Sequence, residues 1–316
     1  MRSSRIISIS NFAAWCGLLL ALPVFAQTVY LDGASAGVPL AREAVSAYAK
    51  SIKDAAAVQI AAAGTSLALE RLCTGRADAV IATRAPNPAE QAQCTEAKIK
   101  ILEIPIARDA LSVVVNQRNS FVKSISVGEL RTVWAEAAQG KVTRWNQVNP
   151  AWPDAPLKLF GPGAGDAVFF NDAILGKDAK ARGDFQRSDE DAMLVQGIAR
   201  DLNALSYLPM AYLEGNRTRL RAVPVSAKKG AIPVEPTEQN VTQGAYEPLT
   251  RPILLYVNTQ SLARAEVSKF LDYLLTNGAR IAKGAHYVAL PDAAYRVSAQ
   301  SLKAAALSAP SSIKKP

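Results

Sequence analysis

The chain contains few of the residues that metal sites and catalytic nucleophiles require. Its 316 residues include three cysteines and a single histidine, His286. The cysteines form no CxxC pair, and the sequence has no HExxH or P-loop motif. We therefore expect a protein that is not an enzyme, with no catalytic residue, no metal site and no cofactor.

Long apolar runs are also absent, except near the N-terminus. Arg2 and Arg5 precede an apolar run from Phe12 to Leu22, and a small-residue cleavage site ends at Ala26. This pattern is typical of a secretory signal peptide and is too short for a membrane span. We predict a signal peptide over residues 1–26, cleavage after Ala26, and export of the rest.

The sequence lacks a basic stripe with interleaved aromatic residues. Its formal net charge is +9, with two positive charges in residues 1–26, so residues 27–316 carry +7. The charges are scattered, apart from the segment Arg217–Arg221 and the extreme C-terminus. A positive excess suits an anionic ligand or plain solubility, and we expect no nucleic-acid partner.

Two cysteines, Cys73 and Cys94, remain after the predicted signal peptide. An even number of cysteines in an exported protein predicts a disulfide, here closing a loop across Thr83 and Arg84.

Short apolar strands alternate with helical patterns, which predicts an α/β fold. The predicted strands at Val29–Leu31, Gln59–Ala62 and Ala79–Ala82 are each followed by small or hydroxyl residues. Ligands bind at such strand ends in open α/β sheets. Another such corner is the stretch KLFGPGAGDAVFFNDAIL, residues 158–175, which reads as a strand, a glycine-rich turn and a helix.

Two similar strands, ALSVVVN ending at Asn116 and ILLYVN ending at Asn258, enclose a segment of domain size. This arrangement predicts a discontinuous first lobe and an inserted second lobe joined by two crossing strands. We place the first lobe at residues 27–112 and 250–298, the second lobe at 113–249, and a loose tail at 299–316.

Several helix boundaries can also be predicted. Ser126 with Glu129, and Ser188 with Asp191, have the spacing of a capping box. A later helix should end at Gly278. Its apolar face comprises Val267, Phe270, Leu271, Leu274 and Leu275.

Long stretches of the chain resemble the periplasmic phosphate-binding proteins of phosphate ABC transporters. The similar segments include LCTGRADAVIATRAP, WAEAAQGKVTRWNQVNPAWPDAPLKLFGPG, LVQGIARD and LTRPILLYVN. The Cys73 and Cys94 pair matches a pair common in one branch of that family. The resemblance implies a two-lobed periplasmic binding protein fold (type II) in which phosphate is held between the lobes.

The family's ligand loops can be carried over to this chain with substitutions. In the first lobe, the Gly-Ser-Ser-Thr-like turn becomes Gly33-Ala34-Ser35-Ala36, and Gly-Ser-Gly-Thr becomes Gly64-Thr65-Ser66-Leu67. The Ala-Ser-Arg-Pro loop becomes Ala82-Thr83-Arg84-Ala85. The resemblance implies ligand contacts from Ser35, Thr65, Ser66, Thr83 and Arg84. Helix capping by the hydroxyl residues, and a surface ion pair for Arg84, are the alternatives.

The second-lobe loop differs most from the family pattern. Its family form, Gly-Pro-Gly-Thr-Asp-Ser-Gly-Thr-Phe, is replaced by GPGAGDAVF, residues 161–169, which lacks the hydroxyls. Backbone amides of Gly163, Ala164 and Gly165 are left as the predicted ligand groups. Asp166 is expected to cap the following helix, with a role as a ligand group as the alternative.

The sequence thus predicts a periplasmic solute-binding protein, expected to be a monomer, that captures phosphate or a similar small oxyanion for an ABC permease. The alternative is a relative that has lost phosphate binding and either binds another ligand or serves as a structural or interaction protein.

Overall fold

The computed structural model describes residues 28–309, except residues 178 and 189. The predicted signal peptide lies outside the described residues. The strands are β1 Val29–Gly33, β2 Val58–Ile60, β3 Ala79–Ala82, β4 Ile101–Asn116, β5 Ile125–Ser126, β6 Lys158–Pro162, β7 Gln186–Ser188, β8 Ala204–Pro209, β9 Leu220–Ala222, β10 Val225–Ser226 and β11 Thr250–Asn258. The α-helices are α1 Val38–Ser51, α2 Thr65–Cys73, α3 Pro88–Glu96, α4 Val127–Trp134, α5 Ala164–Ile174, α6 Asp191–Arg200, α7 Met210–Glu214, α8 Glu238–Thr242, α9 Ala265–Thr276, α10 Gly278–Gly284 and α11 Asp292–Leu307.

One mixed sheet connects most of these strands. Its order is β2-β1-β3-β11-β4-β8-β6-β7, with β9 also paired to β4, while β5 and β10 form a separate pair. Strands β1, β2 and β3 pair in parallel, as expected for strands joined by helical crossovers. Their carboxyl ends therefore meet at one edge, where the predicted first-lobe loops begin.

Two long strands, β4 and β11, run through the middle of the sheet. They pair antiparallel from Thr250 opposite Ala110 to Asn258 opposite Ile101, and β4 then continues beside β8 and β9. Apolar side chains line both strands, so helices pack against them. One group of helices covers one end of the strand pair, and a different group covers the other end. The predicted α/β architecture with two crossing strands is confirmed.

A separate apolar core lies at each end of these strands. One core packs α1, α9 and α10 against the β1 end of the sheet and includes Leu31, Tyr48 and Phe270. The other includes Trp145 and Tyr207 and packs α4 and α5 against the β8 end. These two cores correspond to the two lobes. The residue boundaries given for the lobes stay a prediction.

The predicted stop of α9 is confirmed, because the helix ends at Thr276 with Asn277 as its C-cap, directly before Gly278, which begins α10. A Cβ atom at Gly278 would lie 2.2 Å from the Tyr295 ring, so close packing requires glycine there. The second predicted capping box is wrong. The Ser188 hydroxyl accepts a hydrogen bond from the Glu190 amide, and Glu190 is the N-cap of α6. The Ser126–Glu129 capping box and the buried face of α9 are confirmed.

The predicted loose tail is also wrong over residues 299–307, which continue α11. Its alanine-rich composition favours a helix, and Leu302 packs into the first-lobe core with 2% of its surface exposed. Packing of this helix against α9 adds to its order.

Within the part of the chain that the structure describes, no helix combines the length and apolar character needed to cross a membrane.

Candidate functional site

The turn after β1 is held by a buried aspartate. Asp32 accepts hydrogen bonds from the amides of Gly33 (2.7 Å) and Ala63 (3.1 Å), and its second oxygen accepts one from Arg71 (2.7 Å). The Gly64 amide donates to the Gly33 carbonyl, and the Ala34 amide donates to Ile81 of β3. The loops that follow β1, β2 and β3 therefore meet at one place.

The glycines of this turn are needed for packing against β3. The segment Gly33–Gly37 has the GxSxG spacing of serine hydrolases, but a Cβ at Gly33 would lie 2.3 Å from the Ile81 carbonyl oxygen. A Cβ at Gly37 would lie 2.5 Å from the Ile81 side chain. Ser35 lies on the 3₁₀ turn Ser35–Gly37, and the glycines on either side of it let this turn pack against β3.

Helix α5, which packs in the second core, lies close to this turn. Cα atoms of α5 and of the 3₁₀ turn come within 8 Å of one another. Gly163 is the N-cap of α5, and its carbonyl accepts a hydrogen bond from the Ala167 amide. The amides of Ala164, Gly165 and Asp166 lie between these two residues, in the first turn of the helix. Such first-turn amides point along the helix axis and attract anions. Asp166 is the third residue of the helix, so the prediction that it caps α5 is wrong.

Asp166 instead belongs to a buried ion cluster with Asp109 and Arg251. Arg251 Nη2 lies 2.6 Å from Asp109 Oδ2 and 2.5 Å from Asp166 Oδ1, and Arg251 Nε donates to Asp109 Oδ2 at 2.8 Å. Asp109 and Arg251 are directly opposite each other on β4 and β11. The cluster therefore connects the first turn of α5 to the crossing strands.

Two aromatic residues, Phe169 and Tyr287, lie near this cluster. The Arg251 guanidinium lies 4.6 Å from the centre of the Phe169 ring, a cation–π contact. The Tyr287 hydroxyl donates to the Ala36 carbonyl oxygen of the 3₁₀ turn. Burial, followed by the nearby Asp109 carboxylate, raises the pKa of Tyr287, so this hydroxyl remains a donor at neutral pH.

Burial also affects the charges of the cluster itself. It raises the pKa of Asp109, and the Arg251 guanidinium opposes that effect. Burial alone would lower the pKa of Arg251, but the two carboxylates raise it above its ordinary value. With both carboxylates ionised, the cluster has a formal charge of −1, which the positive end of α5 partly offsets. We call the turn Ser35–Gly37, the residues Gly163–Asp166, and Asp109, Arg251 and Tyr287 together the interlobe site.

Arg84 has a different set of contacts from those expected of an anion ligand. Its Nη1 and Nη2 atoms each lie 2.8 Å from a carboxylate oxygen of Glu90, and Nη2 also donates to the Ser66 hydroxyl at 2.8 Å. The remaining Nη1 proton is donated to the Ala85 carbonyl at 2.9 Å. The structure therefore contains the alternative that the sequence left open for Arg84, an ion pair, here with Glu90. Ser66 accepts a further hydrogen bond from the same guanidinium.

The other predicted ligand residues lie near the ends of their strands. Thr65 begins α2 and Thr83 follows β3, and both are partly buried. Gly64 is the N-cap of α2, so capping by the hydroxyl of Thr65 or Ser66 is wrong. The predicted Cys73–Cys94 disulfide is present and joins the end of α2 to α3.

Sequence reasoning missed Asp32, Asp109, Arg251 and Tyr287. A usable signal existed for two of them, because Asp109 is the one acid in the apolar strand ARDALSVVVN and Arg251 is the one charged residue in LTRPILLYVN. Opposite charges on two strands that are predicted to cross indicate a buried pair. Tyr287 had no comparable signal, since its contact with the 3₁₀ turn depends on how α10 packs.

These features define a two-lobed binding protein fold with two crossing strands. The family model described as a PBP superfamily domain matches residues 26–277, and the chain belongs to this superfamily.

Within it, the chain is similar to Protein SphX from Synechocystis sp., at 35% identity over 274 residues that cover 86% of this chain and 81% of SphX. It is 29% identical over 276 residues to the phosphate-binding protein PstS from Staphylococcus haemolyticus, covering 86% of this chain and 84% of PstS. A crystal structure of a possible phosphate binding protein from Planctomyces limnophilus has a TM-score of 0.76 and 31% identity, covering 88% of this chain and 98% of that chain.

Proposed function

We propose that this protein is exported to the periplasm, where it captures inorganic phosphate, or a closely related oxyanion, and delivers it to an ABC permease. It acts as a binding protein and not as an enzyme, and it works as a monomer. The ligand sits in the interlobe site, between the turn Ser35–Gly37 and the first turn of α5.

One observation carries the proposal. Helix α5, whose first turn carries the amides of Ala164, Gly165 and Asp166, lies close to the turn Ser35–Gly37, in a chain that is similar over most of its length to a protein named as phosphate-binding. Amides at a helix N-terminus bind oxyanions through aligned donors and through the helix dipole. These donors are backbone groups, so they remain although the loop has Ala164 and Asp166 where the family has hydroxyl residues.

The hinge-like strands support a closure mechanism. Asp109 and Arg251 lie on β4 and β11, and through Asp166 they contact the second-lobe helix that contributes the amides. A ligand that contacts both lobes stabilises the closed arrangement, which a permease can then distinguish from the open one.

A second function has one observation in its favour. The buried cluster beside the amides has two carboxylates and one guanidinium, and this excess of negative charge disfavours a doubly charged anion. The alternative is a protein on the same scaffold that has lost phosphate binding and binds another ligand or another protein.

Calorimetric titration distinguishes the two functions. The mature chain, residues 27–316, is unfolded, freed of carried ligand and refolded, then titrated with phosphate and separately with sulfate. Phosphate binding with a dissociation constant of about 10 µM or lower, with weaker sulfate binding, is the expected result. No heat and no change in Tm up to millimolar phosphate would favour the alternative.

A further inference from the structure

Asp166 and Asp109 divide the hydrogen-bonding edges of Arg251 between them. Asp109 Oδ2 accepts from both Nε and Nη2, at 2.8 and 2.6 Å, and so covers the Nε–Nη2 edge. Asp166 Oδ1 accepts from Nη2 at 2.5 Å. Both Nη2 protons are therefore donated to carboxylates.

A guanidinium binds an oxyanion best through two parallel N–H groups. For Arg251, the edge that could face a ligand is the one formed by Nη1 and Nη2, because Asp109 covers the other. Asp166 contacts this second edge. A ligand can therefore form the paired contact with Arg251 only after the Asp166 carboxylate has moved away.

The position of Asp166 on α5 adds a second conflict. Its carboxylate belongs to the same helical turn whose amides would bind the oxyanion. The positive end of that helix and Arg251 both attract whichever anion is nearest. Asp166 is also the most accessible member of the cluster, with 20% of its side chain exposed against 7% for Arg251. Its carboxylate is therefore the one in the cluster that a ligand can displace most readily.

We propose that Asp166 is a built-in competitor of the ligand: its carboxylate takes the Nη2 donor of the Nη1–Nη2 edge of Arg251 and so sets the affinity of the interlobe site for oxyanions. This inference rests on the proposed function, because it names the residue that limits oxyanion binding at the same site. It follows that removing the negative charge at position 166 strengthens binding.

The test compares the phosphate affinity of wild type, Asp166→Asn and Asp172→Asn, all as residues 27–316. Asparagine has nearly the shape of aspartate and removes its charge. Asp172 is exposed on the same helix, so Asp172→Asn changes the net charge equally without touching the cluster. Asp166→Ala, which removes the charge and adds no hydroxyl, serves as a second variant should Asp166→Asn fold poorly, as judged by its Tm.

We expect Asp166→Asn to bind phosphate about tenfold or more tightly than wild type, equivalent to about 1.4 kcal/mol. Asp172→Asn should stay within about twofold of wild type, because an exposed charge is screened by salt. In an Arg251→Lys background the gain should be smaller, since lysine has no planar edge to release.

The outcomes separate this inference from the proposed function. Wild-type binding with equal or weaker binding by Asp166→Asn overturns the inference and leaves the function intact. Binding by Asp166→Asn alone supports the inference and overturns phosphate capture by the natural chain. Absence of binding by every variant overturns both. An equal gain in the Arg251→Lys background overturns competition for Arg251.

Discussion

Arg84 and Glu90 face each other through two parallel hydrogen bonds, Nη1 to Oε2 and Nη2 to Oε1, both 2.8 Å long. Glu90 belongs to the capping box of α3, where it also accepts from the Asn87 amide at 2.8 Å. The pair therefore fixes the start of α3 against the end of β3. This arrangement explains why a guanidinium follows β3 without requiring that it hold a ligand.

Replacing Arg84 by glutamine should have a small effect on phosphate binding. Its four terminal N–H groups are already donated to Glu90, Ser66 and Ala85, so we expect less than about a threefold change in affinity by calorimetry. The free energy of unfolding should fall by about 1–2 kcal/mol, because the hydrogen bonds to Glu90 are lost. The decrease is no larger because solvent screens the half-exposed guanidinium. A loss of affinity above about tenfold, with Tm maintained, would show that Arg84 leaves Glu90 to contact the ligand.

The same pair predicts how stability depends on pH. The hydrogen bonds from Arg84 are the main cause that lowers the pKa of Glu90 from 4.5 to about 2. A carboxyl whose pKa is lower in the folded state contributes fully above its unfolded value and loses that contribution as the pH falls. Stability should therefore decline between about pH 5 and pH 2.

Urea unfolding across this pH window measures the effect. Glu90→Gln should reduce the loss of unfolding free energy between about pH 5 and pH 2 by about 1–2 kcal/mol. Glu96, exposed on the same helix, provides the control: Glu96→Gln should leave the dependence of unfolding free energy on pH as in wild type. Equal slopes for wild type and Glu90→Gln would contradict the assignment.

Removing one amide from the start of α5 should weaken oxyanion binding. Ala164 is the first helical residue, where proline is tolerated, and the preceding Gly163 has an extended backbone compatible with a following proline. Ala164→Pro should therefore fold and lack one donor, and we expect phosphate binding to weaken about tenfold or more. Ala164→Val keeps the amide, adds no hydroxyl and is the matched control. Unchanged binding by Ala164→Pro would place the ligand elsewhere.

The disulfide should contribute measurably to stability. Cys73 and Cys94 are 21 residues apart in sequence, and a loop of this size is worth about 3 kcal/mol in the chain-entropy model. Cys73→Ala/Cys94→Ala should lower the free energy of unfolding by about that amount, measured in urea. Reduced wild type should match the double variant. A wild-type protein insensitive to reductant under unfolding conditions would mean that the bond contributes little.

The sequence by itself determined those features that depend on neighbours along the chain. Strand β3 has the predicted bounds Ala79–Ala82, and the apolar side of α9 is buried as its helical spacing indicates. The Ser126–Glu129 capping box formed because both partners lie within one helical turn. Periodicity and capping are local, so one sequence suffices to predict them.

Tertiary structure decided which partner each charged residue takes. Asp166 could have capped α5 from its sequence position, but folding brings Arg251, 85 residues away, within reach of its carboxylate. The sequence predicts that Arg84 follows β3. Its hydrogen bonds to Glu90 and Ser66 depend on the packing of α2 beside α3. Residues 299–307 are predicted to be part of a loose tail, yet they are helical, because Leu302 packs into the first-lobe core. Burial makes ionic and polar groups take whichever partner is nearest in space, and only the folded chain determines that distance.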